Sequence, residues 1–278
     1  MSDLEPPANV KRLNSALEAI ARDRGVLLRR LQRVVANTVL GQLLPAGVVK
    51  GGTSLTLRAG EANSRFTPDF DTAFGGELET FENDLSDRLE DGWCAFTGTI
   101  VRQTSHAPAG MLPQYVMQPF AVKLQYQKKS WLTVDLEMGH DEIGCAANPE
   151  LRIADDIVAL FARLGLQEPG PVPVMAIEHQ MAQKLHACTS PGSQRAHDVV
   201  DLQLLNAEHP DLSELRAVAI RLFKFRSGHT WPPAVPEADA TWTTVYTEAA
   251  DGVTVLQSAI DAVAWANALI SDINSAAS

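Results

Sequence analysis

The sequence predicts an α+β chain. A sheet-bearing part over residues 1–150, with N-terminal helices and about five strands, is followed by a helical part over residues 151–278. Three observations carry the prediction. Runs with two-residue alternation, or dense in Val, Thr and aromatic residues, end before residue 140. From Ala154 onward apolar residues return at helical spacing in one segment after another. Pro169, Pro171 and Pro173 stiffen the connection leading into the helices. The 278 residues and a hydrophobic content of 45% suffice for one large domain or two modest lobes.

Leu27, Leu28, Leu31, Val34, Val35, Thr38, Val39 and Leu43 recur at helical intervals, which predicts an amphipathic helix from about Val26 to Leu44. Pro45-Ala46-Gly47 ends it, a short apolar strand Val48 to Lys50 follows, and Thr53 to Arg58 opens a second helix whose N-terminus faces Gly51-Gly52. Phe66, Pro68 and Phe70 alternate with Thr67, Asp69 and Asp71, predicting a strand that sends both carboxylates out on one face. Glu77 to Glu90 reads as a helix with Leu78, Phe81, Leu85 and Leu89 inward, stopped by Asp91-Gly92. Trp93 to Val101 has strand character. After a loop containing Pro and Gly, Val116 to Gln127 and Trp131 to Met138 form a hairpin turning at Lys128-Lys129-Ser130. The later helices fall at about 154–164, 175–189, 194–206, 212–227 and 251–272.

The chemistry concentrates in Val48-Val49-Lys50-Gly51-Gly52-Thr53-Ser54-Leu55 and in Asp69-x-Asp71. A strand that runs into two glycines and a helix N-terminus leaves backbone N–H groups at the positive end of the helix dipole, a site for phosphate. Two carboxylates one residue apart repel, and a divalent cation relieves the repulsion. Magnesium takes hard oxygen ligands and keeps part of its shell for substrate phosphates, so the pair beside a phosphate cradle points to metal-assisted phosphoryl or nucleotidyl transfer. Taken singly, each element has an ordinary explanation, a surface turn or a capping acid. Their order and proximity match the pattern of the polymerase-β nucleotidyltransferase superfamily.

Further positions are open to more than one reading. Asp135 alternates with Val134 and Leu136 on the second hairpin arm, as a third metal-binding acid or as a charge on a wet sheet face, with Glu137 competing for the role. Lys184 falls on the apolar arc of Ile177, Met181, Leu185 and Cys188, either snorkelling at the core edge or reaching a phosphate. Asp198 and Asp201 lie one turn apart at a helix start, where acids also serve as dipole partners.

Lys184-Leu185-His186-Ala187 followed by His197-Asp198-Val199-Val200-Asp201-Leu202, together with Lys50-Gly51-Gly52-Thr53-Ser54-Leu55 and Thr67-x-Asp69-x-Asp71, resembles the AbiEii family of nucleotidyltransferase toxins, which includes the MenT toxins. The resemblance runs from about Val48 to Leu205. It implies a polymerase-β-like lobe plus a helical lobe, with a nucleotide held in the cleft between them. By this resemblance Gly51, Gly52, Thr53 and Ser54 hold the triphosphate with Thr67 nearby, and Asp69 and Asp71 bind magnesium. Lys184 contacts nucleotide phosphate, Asp198 is a further essential acid, and Asp135 is the weaker match for a third metal ligand. Two positions depart from the family pattern: Thr67 stands where Ser is usual, and His197 stands where Arg or Lys is usual, making positive charge there conditional. Some family members are silenced by phosphorylation at the Thr67 position.

The resemblance implies transfer of a nucleoside monophosphate from an NTP to the 3′ end of tRNA, with release of pyrophosphate, by a toxin paired with a cognate antitoxin. The alternatives are transfer to a protein or small molecule, and a regulator that binds nucleotide or RNA without catalysis. A net charge of −11 argues against indiscriminate coating of nucleic acid, since phosphate contacts supply that affinity, and leaves local clusters such as Arg29, Arg30 and Arg33 to do so. Cys94, Cys145 and Cys188 are too dispersed for a disulfide framework or a zinc site. No window approaches the roughly 18–20 apolar residues of a membrane span. The N-terminus lacks a secretory pattern, so the expected compartment is the cytoplasm.

Overall fold

The computed structural model describes residues 5–105 and 116–277. They divide into two compact units: the described residues up to Glu61 with Phe66–Val174, and Ala62–Arg65 with Met175 onward. The division after Val174 lies beyond the boundary expected near residue 150. A late strand accounts for the difference.

In the first unit, helix α1 (Val10–Arg24) is capped by the Asn9 side chain, which accepts from the Arg12 amide at 3.0 Å, and ends at Gly25 with φ 69°. Helix α2 (Leu28–Leu43) follows, then β1 (Val48–Lys50), α3 (Gly51–Ala59), β2 (Phe70–Phe74) and α4 (Leu78–Asp91). Strands β3 (Phe96–Arg102), β4 (Gln118–Tyr126) and β5 (Lys129–His140) form the meander, followed by β6 (Glu150–Arg152), α5 (Asp155–Arg163) and β7 (Val172–Val174). The loop expected between β3 and β4 falls mainly on 106–115, outside the described residues.

Among the described residues the sheet has seven strands in the order β3-β4-β5-β2-β1-β7-β6, two more than the sequence suggested. β2 runs parallel to β5 and β1 parallel to β7, while the other neighbours are antiparallel. The additional strands are three-residue β6 and β7, and β7 contains Pro173 of the segment read as a stiff connection. One face of the sheet carries Phe70, Phe120, Val122, Leu124, Tyr126, Val134 and Leu136, all buried in one core with Leu13 and Leu17 of α1, Val35 and Val39 of α2, Phe81 and Leu85 of α4, and Leu160 of α5. Each such side chain contributes about 1.5–3 kcal/mol by leaving water. On the opposite face Thr133, Asp135 and Glu137 remain exposed, as the alternation along β5 requires.

The expected strand through Phe66 begins only at Phe70. Phe66 and Pro68 are exposed, so they do not share a buried face with Phe70.

The second unit holds α6 (Ile177–Thr189), α7 (His197–Asn206), α8 (Leu212–Arg226), α9 (Ala240–Ala250) and α10 (Ala259–Ser275). The single last helix expected at 251–272 is therefore two, each with its own cap: Asp239 accepts from the Trp242 amide and Ser258 from the Asp261 amide. Among the described residues no helix is long and apolar enough to cross a membrane.

A buried histidine makes this unit acid-sensitive. His186 on α6 is 8% exposed, its ring centroid lies 4.8 Å from that of Phe223 and 4.6 Å from that of His229, and its Nε2 is buried with no hydrogen-bond partner. Burial, with Arg226 and His229 nearby, pushes its pKa from 6.5 down to about 3. The unfolded chain takes up this proton below pH 6.5 and the folded chain does not, so stability falls as pH drops through that window. Between pH 7 and pH 5 the loss from this residue is expected to be about 2 kcal/mol. Thermal melts across that range should show a shallower slope for His186→Leu.

Candidate active site

The glycine turn forms as its sequence requires. Gly51 has φ 65°, a conformation that side chains resist, and a Cβ there would lie 2.0 Å from Asp71 Oδ2. The Asp71 carboxylate thus lies directly over the first residue of α3. A Cβ on Gly52 would meet Thr67 Cβ at 2.8 Å, so Thr67 packs against the second glycine. Gly51→Ala is expected to cost about 1–3 kcal/mol through strain and to displace Asp71. A lowered melting temperature together with lost activity would show both effects.

Thr53 and Ser54 are placed differently from the expectation. Ser54 is fully buried and Thr53 is 2% exposed. The Thr53 hydroxyl donates to the Asp69 carbonyl at 2.7 Å and accepts from Asn37 Nδ2 at 2.9 Å. Thr53 therefore fixes the backbone that carries Asp69, and its hydroxyl is already engaged. Gly51, half-buried, is the residue of this turn nearest the surface.

The carboxylates share one sheet face. Strand register pairs Lys50 with Asp71 and Asp71 with Glu137, and paired residues point the same way. Lys50, Asp71 and Glu137 thus form a row across β1, β2 and β5. Asp135 lies two residues earlier on β5, beyond the point where β2 joins at Phe70 and Leu136. Glu137, not Asp135, is the direct neighbour of Asp71. Among the described residues no three His, Cys, Asp or Glu side chains are gathered so as to hold a metal ion, so Asp69, Asp71 and Asp135 do not stand as a ready three-ligand set. The donors still suit magnesium, which needs only one or two protein carboxylates when phosphates complete its shell.

Arg33, which the sequence marks only as part of a basic cluster on α2, reaches the Thr133 end of β5 beside the acids. Its Nη1 donates to the Thr133 carbonyl at 3.1 Å, and Asp135 and Asp69 both favour its charge against the burial that lowers its pKa. Only the packing of α2 against β5, 100 residues away in the chain, could reveal that contact.

In the second unit Lys184, Asp198 and Asp201 are brought together. Lys184 is 6% exposed and donates to Asp198 Oδ1 at 3.0 Å and Asp201 Oδ2 at 2.6 Å, while both aspartates are fully buried. Arg65 forks onto Asp201 at 2.8 and 2.9 Å, and Arg195 reaches Asp198 at 2.5 Å. Burial opposes charge on Lys184 and on both aspartates, yet the opposite charges prevail: the lysine pKa is raised and the carboxylate values lowered. In this arrangement the Lys184 ammonium is held by two buried carboxylates. Burial lowers the His197 pKa, keeping it neutral at pH 7, so Arg195 supplies the permanent charge beside Asp198. The signal was present two residues upstream of His197.

The model of the family described as "Nucleotidyl transferase AbiEii toxin, Type IV TA system" matches residues 30–268. MenT4, a nucleotidyltransferase toxin from Mycobacterium tuberculosis H37Rv, is 17% identical with a TM-score of 0.53, the match covering 92% of this chain and 97% of that one. JHP933 from Helicobacter pylori is 16% identical with a TM-score of 0.45, over 88% of this chain and 91% of that one. None of the curated proteins compared matches the sequence. The MenT4 likeness bears on the fold, whereas the family model spans both the glycine turn and the buried Lys184 cluster. This chain belongs to the AbiEii family of nucleotidyltransferase toxins of type IV toxin–antitoxin systems, and is a nucleotidyltransferase whose family implies an NTP substrate and an antitoxin partner.

Proposed function

We propose that the enzyme uses magnesium to transfer a nucleoside monophosphate from an NTP to the 3′ end of tRNA, in the cytoplasm. The observation that carries the metal-assisted reading is the Asp71 carboxylate seated over Gly51, where a helix N-terminus meets an acidic sheet face. Asp69 and Asp71 would hold the ion, with Asp135 or Glu137 as a third acid, of which Glu137 is the one paired with Asp71. When bound, the ion would neutralise phosphate charge and help orient the attacking hydroxyl.

The chain's own groups perform the rest. Backbone N–H groups of Gly51 and Gly52 would face the triphosphate, and Lys50, on the same face as Asp71, would add positive charge. Thr53 holds Asp69 in place through its carbonyl. Thr67, packed on Gly52, limits movement of the segment leading to Asp69. For Lys184 we propose contact with nucleotide phosphate, and for Asp198 the fixing of that lysine.

Incubation of the protein with each α-labelled NTP, total RNA, proteins and small metabolites tests this reading. Label should enter the tRNA fraction, at a terminal position, and chelation of divalent ions should abolish it. Label in protein or metabolites instead would refute the tRNA acceptor.

A further inference from the structure

We propose that Phe66, with Arg29 and Arg33 of α2, forms a platform for the single-stranded end of an RNA acceptor beside Asp69. The inference deepens the transferase reading and rests on it for the identity of the reaction.

Phe66 is 36% exposed, although a strand alternation would have buried it with Phe70. It lies three residues before Asp69, and the Arg29 guanidinium carbon stands 5.5 Å from its ring centroid. Arg33 follows Arg29 by one helical turn and therefore shares its side of α2. Arg33 donates to the Thr133 carbonyl, which places its guanidinium by the Asp135 end of β5. A single helix face thus presents one arginine at the aromatic ring and the next beside the acidic row.

A base offers a π-face that stacks on an aromatic ring whatever its identity, and its phosphates pair with guanidinium groups. A part-exposed phenylalanine with Arg29 at its ring, and Arg33 one turn along the same helix face, combines both contacts. The charge balance strengthens the case: a chain with net charge −11 gains little RNA affinity from its general surface, so attraction must be local. An exposed ring with one arginine over it and a second, one helical turn on, beside the acids suits a chain of stacked bases and phosphates better than a folded protein surface.

Binding of a fluorescently labelled single-stranded oligoribonucleotide to the full chain tests the platform, alongside acceptor and NTP kinetics. Loss of one stacked base is worth about 1–3 kcal/mol, so Phe66→Ala should weaken oligonucleotide binding and raise the acceptor KM by roughly 5- to 150-fold. Phe66→Trp should retain binding, and Arg29→Ala should make binding less salt-sensitive. Matching circular dichroism and melting curves would exclude unfolding as the cause. If wild-type protein labels RNA but Phe66→Ala leaves both oligonucleotide binding and acceptor KM unchanged, the platform is wrong and the transferase reading stands. If label goes elsewhere while the oligonucleotide still binds through Phe66, the platform stands and the proposed reaction falls. Failure of wild-type protein to bind the oligonucleotide, or Phe66-dependent transfer to a protein, overturns the platform.

Discussion

Exchange of Asp71 for asparagine is expected to lower nucleotidyl transfer by roughly a thousandfold, equivalent to about 4 kcal/mol of transition-state stabilisation. Asparagine keeps the shape that packs over Gly51 and removes the charge that would hold the ion. The effect should therefore fall on the rate with little change in melting temperature, and should not be restored by higher NTP. Label transfer from an α-labelled NTP, compared at matched folded fractions, measures it. A residual rate within about tenfold of wild type would show that Asp71 neither binds the metal nor faces the reacting phosphate. Asp69→Asn should behave similarly, although Thr53 would still hold the local backbone through the Asp69 carbonyl.

Lys184→Ala is expected to destabilise the second unit by about 3–5 kcal/mol, because removing one partner from a buried ion network strands the other charges. Asp198 and Asp201 are both 0% exposed, and each loses a lysine contact of 3.0 Å or less. Arg65 and Arg195 remain bound to them and place the loss toward the lower end of that range. From sequence alone, this alanine substitution would be expected to remove activity and leave the fold intact. The structure makes it a stability variant too. Chemical denaturation of the full chain is the measurement, and a variant as stable as wild type would contradict the network's role.

The pH dependence follows from the same charges. The folded pKa values of the aspartates lie below 3.8, so their stabilisation is present above that value and is lost as pH falls through the depressed values. The Lys184 pKa lies above 10.5, so its contribution is complete below that value and is lost as pH rises through the raised one. Across neutral pH the network is constant. In mildly acidic solution the second unit loses stability through its buried histidines, His186 most of all, with His197 and His229 lowered in the same direction by burial.

The sequence by itself determined the parts whose physics is local. Two glycines between a strand and a helix and apolar stripes at helical spacing are legible because chain neighbours enforce them, whereas the alternation read through Phe66 and Asp69 holds only from Phe70 onward. The order of strands and helices along the chain and membership in the family follow from such signals, whereas Asp71 comes to lie over Gly51 only through the pairing of β1 with β2. Tertiary structure decided what depends on distant pairing. Strands β6 and β7 are three residues each, too short to show a period, and Pro173 reads as a linker until β1 and β6 pair with its strand. The choice between Asp135 and Glu137 as neighbour of Asp71 rests on the register of β2 against β5, which no alternation within one strand encodes. Thr53 looks like a phosphate ligand from its position after the glycines, and only the approach of Asn37 and the Asp69 carbonyl engages its hydroxyl. Likewise Lys184 interrupts an apolar helix arc in the sequence, and only the fold supplies the two buried carboxylates that make an ammonium group stable there.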